Sequence, residues 1–211
     1  MASADLTAVV VAAVGVAGTM GAPLLSQWSR RRELAEEGAR AERQRQQDRD
    51  ESNLQRKRDL YAALNSSARA YRTAAYDYIL ALKRGENPDG SALESARGSY
   101  RDQYAQAQMV LPGRTLQVAS EVNHCLSLGY KLVKQLPNPA DGQDIWRQTE
   151  TWFATPLAEA VWLLRHALRE DLGVLDEFPD LPERVQQLRA TRKRLTRQTE
   201  ERQDPPPSGR A

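Results

Sequence analysis

The sequence predicts an all-α protein: an N-terminal transmembrane helix, a charged helical spacer, an up-down-up-down four-helix bundle and a basic C-terminal helix. Three observations carry that reading. A single uncharged run of twenty residues, Leu6–Leu25, stands near the N-terminus and is followed closely by Arg30, Arg31 and Arg32. Beyond Leu54, apolar residues recur at the 3-4 spacing of a buried helix face, stretch after stretch, with proline- and glycine-rich turns between them. No stretch alternates apolar and polar residues as a half-buried strand does.

The first element follows from length and charge. Twenty residues at about 1.5 Å each cover roughly 30 Å, the hydrocarbon thickness of a bilayer. Val9, Val10, Val11, Val14, Val16, Leu6, Leu24 and Leu25 favour insertion, while Gly15, Gly18, Gly21, Thr7, Thr19 and Pro23 make the net gain modest. The leader Met-Ala-Ser-Ala-Asp has no basic residue, so a cleavable secretory signal does not fit. The arginine cluster lies C-terminal to the run, which places residues 1–29 as a single-pass anchor of the cell membrane, N-terminus outside and the remainder cytoplasmic. Trp28, Arg30, Arg31 and Arg32 are then the membrane-interface residues. Ala13, Ala17 and Gly21, four apart, form with Gly18 and Ala22 a smooth ridge on which two such helices could pack, a route to a homo-oligomer.

Residues 30–53 are rich in helix formers, with only Gly38 against them. Glu36 with Arg40, Glu42 with Arg45 and Arg45 with Asp48 stand at helical neighbour spacing. Leu34 and Ala41 are a heptad apart, but the next heptad positions are Asp48 and Gln55, so a solvated spacer is expected rather than a coiled coil.

Residues 54–178 form the expected bundle. The first helix carries Leu54, Tyr61, Leu64, Ala68, Tyr71, Ala75, Tyr78 and Leu82 and stops at Gly85, Pro88 and Gly90. Ser91 and Glu94 have capping-box spacing and open the second, with Leu93, Ala96, Tyr100, Tyr104, Ala107 and Leu111, ended by Pro112-Gly113. The third runs from about Thr115 to Leu136 and buries Ala119, Val122, Leu126, Tyr130 and Val133. The fourth runs from near Asp144 to about Leu172, with Pro156 inside it to kink or divide it. Short connections between four such helices predict the up-down-up-down arrangement.

A fifth segment, residues 179–203, begins with Asp180 as N-cap and has a thin apolar edge of Val185, Leu188 and Leu195 among many basic residues. Two courses are open to it: continued in the sense of the fourth helix, it would run back toward the bilayer, antiparallel to residues 30–53, and carry Arg192, Lys193 and Arg194 to the head groups; with so narrow an apolar edge, it could equally hang free. Residues 204–211 are expected to be a disordered tail.

Composition narrows the function classes. The net charge of +2 arises from interleaved acids and bases and gives no case for nucleic acid. One cysteine, Cys125, excludes an intrachain disulfide framework and fits a reducing compartment. Mean hydropathy is −0.67 even with the anchor included, so the rest of the chain is strongly polar. A di-iron bundle needs paired Glu-x-x-His motifs. Glu121 and His124 make one, but Leu163 stands where His166 would need its glutamate. His124 and Cys125 are adjacent and diverge on a helix, Cys125 has no evident activating base, and Gly15-x-x-Gly18-x-x-Gly21 lacks the spacing of a phosphate loop. No catalytic residue, cofactor or metal ligand is therefore assigned. The tyrosines Tyr61, Tyr71, Tyr78, Tyr100, Tyr104 and Tyr130 fall on core stripes, where they pack or, in a sharper reading, line a ligand cavity.

The order of parts resembles uncharacterised single-pass membrane proteins of high-GC Gram-positive (actinobacterial) bacteria. An Ala/Gly/Val anchor, an arginine-rich helix leading into RDLYAALNSSARAYR, and a late helix ending in LRHALREDLG carry the resemblance. It implies a membrane-tethered helical domain and supplies no functional residues. Two functions are expected on these grounds: a non-enzymatic interaction or scaffold protein with an unidentified protein partner, or a membrane-tethered sensor that binds a small ligand in its bundle.

Overall fold

A computed structural model describes the backbone of residues 3–137, 142–174 and 178–203, and the side chains of Leu34 and of residues 36–137, 142–174 and 178–203. These residues form six helices: α1 (Ser3–Lys83), α2 (Ser91–Ala107), α3 (Gly113–Lys134), α4 (Gln143–Ala154), α5 (Pro156–Asp171) and α6 (Leu181–Gln203). There is no strand among them. The chain divides into two compact units, Met1–Gln55 and Arg56–Ala211, with the division inside α1.

In the first unit, the described side chains are exposed and linked locally. Glu36 pairs with Arg40 at 3.8 Å and Glu42 with Arg45 at 3.7 Å. Asp48 accepts from Gln44 at 2.9 Å and Asp50 from Gln46 at 3.1 Å. Such pairs add a few tenths of a kcal/mol each, about enough to favour helix without any buried face. Among the described residues no helix is long and apolar enough to cross a membrane. The span expected over Leu6–Leu25, its ridge and its interface residues lie where side chains are outside the described set.

The second unit is a helical bundle around one apolar core. Tyr61, Leu64, Ala68, Tyr71, Ala75 and Ile79 bury one stripe of α1. Leu93 and Tyr100 of α2, Val122 and Leu126 of α3, Trp152 and Phe153 of α4 and Leu157, Leu163 and Leu164 of α5 meet it. α1 ends at Gly85 (φ 77°), and α5 at Gly173 (φ 67°). In each case the amide after the glycine reaches back five residues, Glu86 to Ala81 and Val174 to Arg169, the left-handed C-terminal cap that favours glycine. Gly129 on α3 admits the rings of α4: a Cβ there would lie 3.0 Å from Phe153 Cζ.

Three details sharpen or correct the sequence reading. Of the two effects expected of Pro156, the chain shows division: with no amide proton to donate back along α4, it splits the fourth helix into α4 and α5, and Thr155 separates them. Ser91 is the first residue of α2, not its cap. Gly90 (φ 74°) holds the cap position, and Asp89 Oδ1 accepts from the Ser91 amide at 2.9 Å and its hydroxyl at 2.8 Å. Glu94 is thereby released to bond elsewhere.

The third difference is the course of α6. It does not continue in the sense of α5 but doubles back along α5 and α4. Arg184 pairs with Glu159, while further along, Gln198 and Arg202 bond Gln148 at 3.1 and 2.8 Å. Its apolar edge, with Leu181 added to Val185, Leu188 and Leu195, is buried in the core cluster. An edge this thin suffices because ion pairs to α3 and α5 reinforce it.

Candidate functional site

The chemistry-bearing side chains gather at four places in the bundle. The most buried is on α3. Glu121 is 2 % exposed and faces α6, where Arg192 Nε lies 2.5 Å from its Oε1 and Arg189 Nε 3.1 Å from its Oε2. Burial works against the charged carboxylate, but hydrogen bonds from Arg192 and Arg189 outweigh it and hold Glu121 below the usual carboxylate range. One turn on, Cys125 Sγ points to the same carboxylate at 3.8 Å. Burial, and then the Glu121 charge, push this thiol far up and disfavour the thiolate. The half-motif Glu121-x-x-His124 is thus split: the glutamate pins α6, and His124 is exposed on the other side. No group of three His, Cys, Asp or Glu side chains among the described residues could hold a metal ion.

The tyrosines cluster where α1, α2 and α3 meet. Tyr71 and Tyr100 have ring centroids 5.9 Å apart, and Tyr100 and Tyr104 stack at 6.0 Å. At the rim, Tyr130 donates to Glu94 Oε1 at 2.6 Å, Lys134 pairs with the same oxygen at 3.1 Å, and the Arg97 guanidinium lies 4.0 Å over the Tyr130 ring. Burial raises the hydroxyl pKa of Tyr71 and of Tyr100. Tyr71, Tyr100 and Tyr104 thus pack ring against ring, while Tyr78 lies along the groove between α1 and α2. Tyr61 stands apart, donating to Asp171, which Lys57 also meets at 2.8 Å.

The third place is the outer face of α5. Trp162 and His166 lie 3.7 Å apart by ring centroid, Phe178 stands edge-on to Trp162, and Arg184 sits 4.5 Å above the indole. Partial burial, then the charges of Arg165, Arg169 and Arg184, lower the pKa of His166. The field on this face is positive.

The fourth is a set of grooves. Between α1 and α2 an open groove of about 850 Å³ has small residues, Ala70, Ala74 and Ala92, along it and Arg69, Asp77 and Asp89 at its margins. Between α4, α5 and α6 a groove of about 650 Å³ runs over Pro156 and Leu188 beside Trp162 and Arg184. A smaller recess of about 210 Å³ lies between α1 and α5. The basic cluster expected on the C-terminal helix comes apart: Arg192 is 17 % exposed and bound to Glu121, while Lys193 and Arg194 stay on the surface. Glu121 with Arg189 and Arg192 escapes sequence reading because the partners stand 68 and 71 residues away. The recess left only one local trace, two arginines three apart beside the α1 core stripe, Arg69 and Arg72.

Comparison with known proteins places none beside this chain: no family model, no curated protein and no solved structure matches it.

Proposed function

We propose that the chain is a membrane-anchored, non-enzymatic interaction protein. In this reading Leu6–Leu25 spans the bilayer, the N-terminus is outside, and the helical bundle is cytoplasmic and presents its surface to a protein partner. The observation that carries it is the α1–α2 groove, long, open and paved with alanines, with charges of both signs at its margins. Small side chains let a partner helix approach closely, and flanking charges set its register. Several groups that would otherwise suggest chemistry are engaged in the fold: Cys125 is buried, Glu121 is bonded by arginine, and Tyr100 is stacked on Tyr104.

The experiment joins topology to binding. A reporter fused after Ala211 should be active only in the cytoplasm, and the chain should fractionate with membranes. Partner proteins recovered with the native chain should be lost from Ala70→Glu and Ala74→Arg, whose substitutions fill the groove without entering the core. A chain wholly in the soluble fraction, or a set of co-purifying proteins indifferent to both substitutions, would overturn the reading.

A further inference from the structure

The recess between α1 and α5 is lined by three guanidinium groups and no carboxylate. Arg69 and Arg72 come from α1 and Arg165 from α5, with Asn65 and Trp162 as walls. The nearby acid, Glu159, is committed to Arg184. None of the three arginines makes a salt bridge among the described residues. Like charges brought together from two helices repel, a cost that a bound anion removes.

We propose that this recess is a phosphoryl-binding site, in which Arg69, Arg72 and Arg165 hold the oxygens of a phosphate group. Arg72 is the fixed member. Its Nε donates to the carbonyl of Phe153 at 3.3 Å, which lies at the end of α4 where the break before Pro156 leaves carbonyls short of helical donors. That bond leaves the terminal nitrogens of Arg72 to face a ligand with little loss of freedom on binding. Arg69 and Arg165 are exposed and close on the same anion from either side. Guanidinium forks match phosphate oxygens two at a time, and three such groups fit a dianion better than a single carboxylate. At about 210 Å³ the recess is smaller than the roughly 300–1,000 Å³ of sites for drug-sized molecules, so it takes a phosphoryl group with a small substituent. Two sources share that chemistry, a soluble phosphorylated compound and a phospholipid head group. The inference goes beyond the interaction reading and stands without it.

Hydrogen exchange on the full-length chain tests the site, in phosphatidylcholine membranes or in buffer according to where the chain fractionates. Inorganic phosphate, titrated against chloride at constant ionic strength, is one probe. Vesicles of phosphatidylcholine with and without phosphatidic acid are the other. The expected result is saturable slowing of amide exchange in the facing stretches of α1 and α5. Arg165→Gln should weaken the apparent affinity about tenfold, the share of one charge-assisted bond, and Arg69→Gln with Arg165→Gln should abolish it. Arg197→Gln, on the exposed side of α6, should leave it unchanged. Both recess substitutions are at exposed positions, and an unaltered thermal melt confirms that the fold is kept. Protection by inorganic phosphate supports the site and names a soluble ligand; protection by phosphatidic acid alone supports it and names the head group. Protection by neither probe, protection that persists in the double variant, or equal weakening by Arg197→Gln overturns the proposal.

Discussion

Glu121 and Glu94 perform the same task in two settings. Each is a carboxylate that ties its helix to another through cations, and the pKa of each is lowered by its partners. Glu121 lies under α6 at 2 % exposure between two arginines; Glu94 lies on the rim, with a side chain 44 % exposed, bonded to Tyr130, Lys134 and Arg97. Water competes for every bond that Glu94 makes; at Glu121 it reaches the half-exposed Arg189 but little of Arg192. Burial, not the number of partners, therefore sets what each carboxylate is worth: a buried pair is costly to break, and an exposed one contributes little.

The largest test of this contrast is Glu121→Ala, expected to cost about 3–5 kcal/mol because it strands Arg192 under the helix. The shift of the chemical-denaturation midpoint measures it. Glu121→Leu combined with Arg192→Met removes the pair without stranding a charge and should recover more than about half of that loss. If the double variant is as unstable as the single one, the pair contributes attraction of its own rather than only a penalty when broken.

Next in size is Gly129→Ala, on the same helix but among the aromatic rings of α4. The added methyl meets Phe153 Cζ at 3.0 Å and Trp152 Nε1 at 3.4 Å, and overpacking of this kind costs about 1–3 kcal/mol. Thermal unfolding with ring proton shifts of Phe153 would show whether close packing or ion pairing is the more sensitive hold on α3.

Acid separates the two glutamates more gently. A carboxylate whose folded pKa is depressed contributes its full stability above the unfolded value, near 4.3, and loses it as the pH falls through the lower folded value. Stability should therefore decline below about pH 4.3, and Glu121→Gln should flatten that decline much more than Glu94→Gln. Melting temperatures of the three proteins across that range give the comparison. Smallest of all, Glu94→Gln at neutral pH should change stability by less than about 1 kcal/mol. A larger loss there would mean that Tyr130 and Arg97 shield the rim from water.

The contrast also marks what the sequence can disclose. The stripes of α1 to α5 were legible because core-facing residues repeat every three or four positions: Tyr61, Leu64, Ala68, Tyr71 and Ala75 were expected inside and are buried. Pro156 announced the break between α4 and α5 because its lack of an amide proton is local. The path of α6 was not legible. Val185, Leu188 and Leu195 gave only an edge, and what decides its direction is a carboxylate on another helix. Ser91 and Glu94 show the converse error, since spacing alone proposed a cap that Asp89 and Gly90 supply. The α1–α5 recess was hidden for the same reason as Glu121: Arg165 lies 96 and 93 positions from Arg69 and Arg72.

Cys125 turns this architecture into a clock. It is the only cysteine in the chain, buried beside Glu121, where burial favours the protonated thiol. A thiol reagent can reach it only when the packing around α3 opens, so the rate of its modification in the native protein reports how often the core there is exposed. A cysteine introduced on the surface would be labelled well before the buried native one.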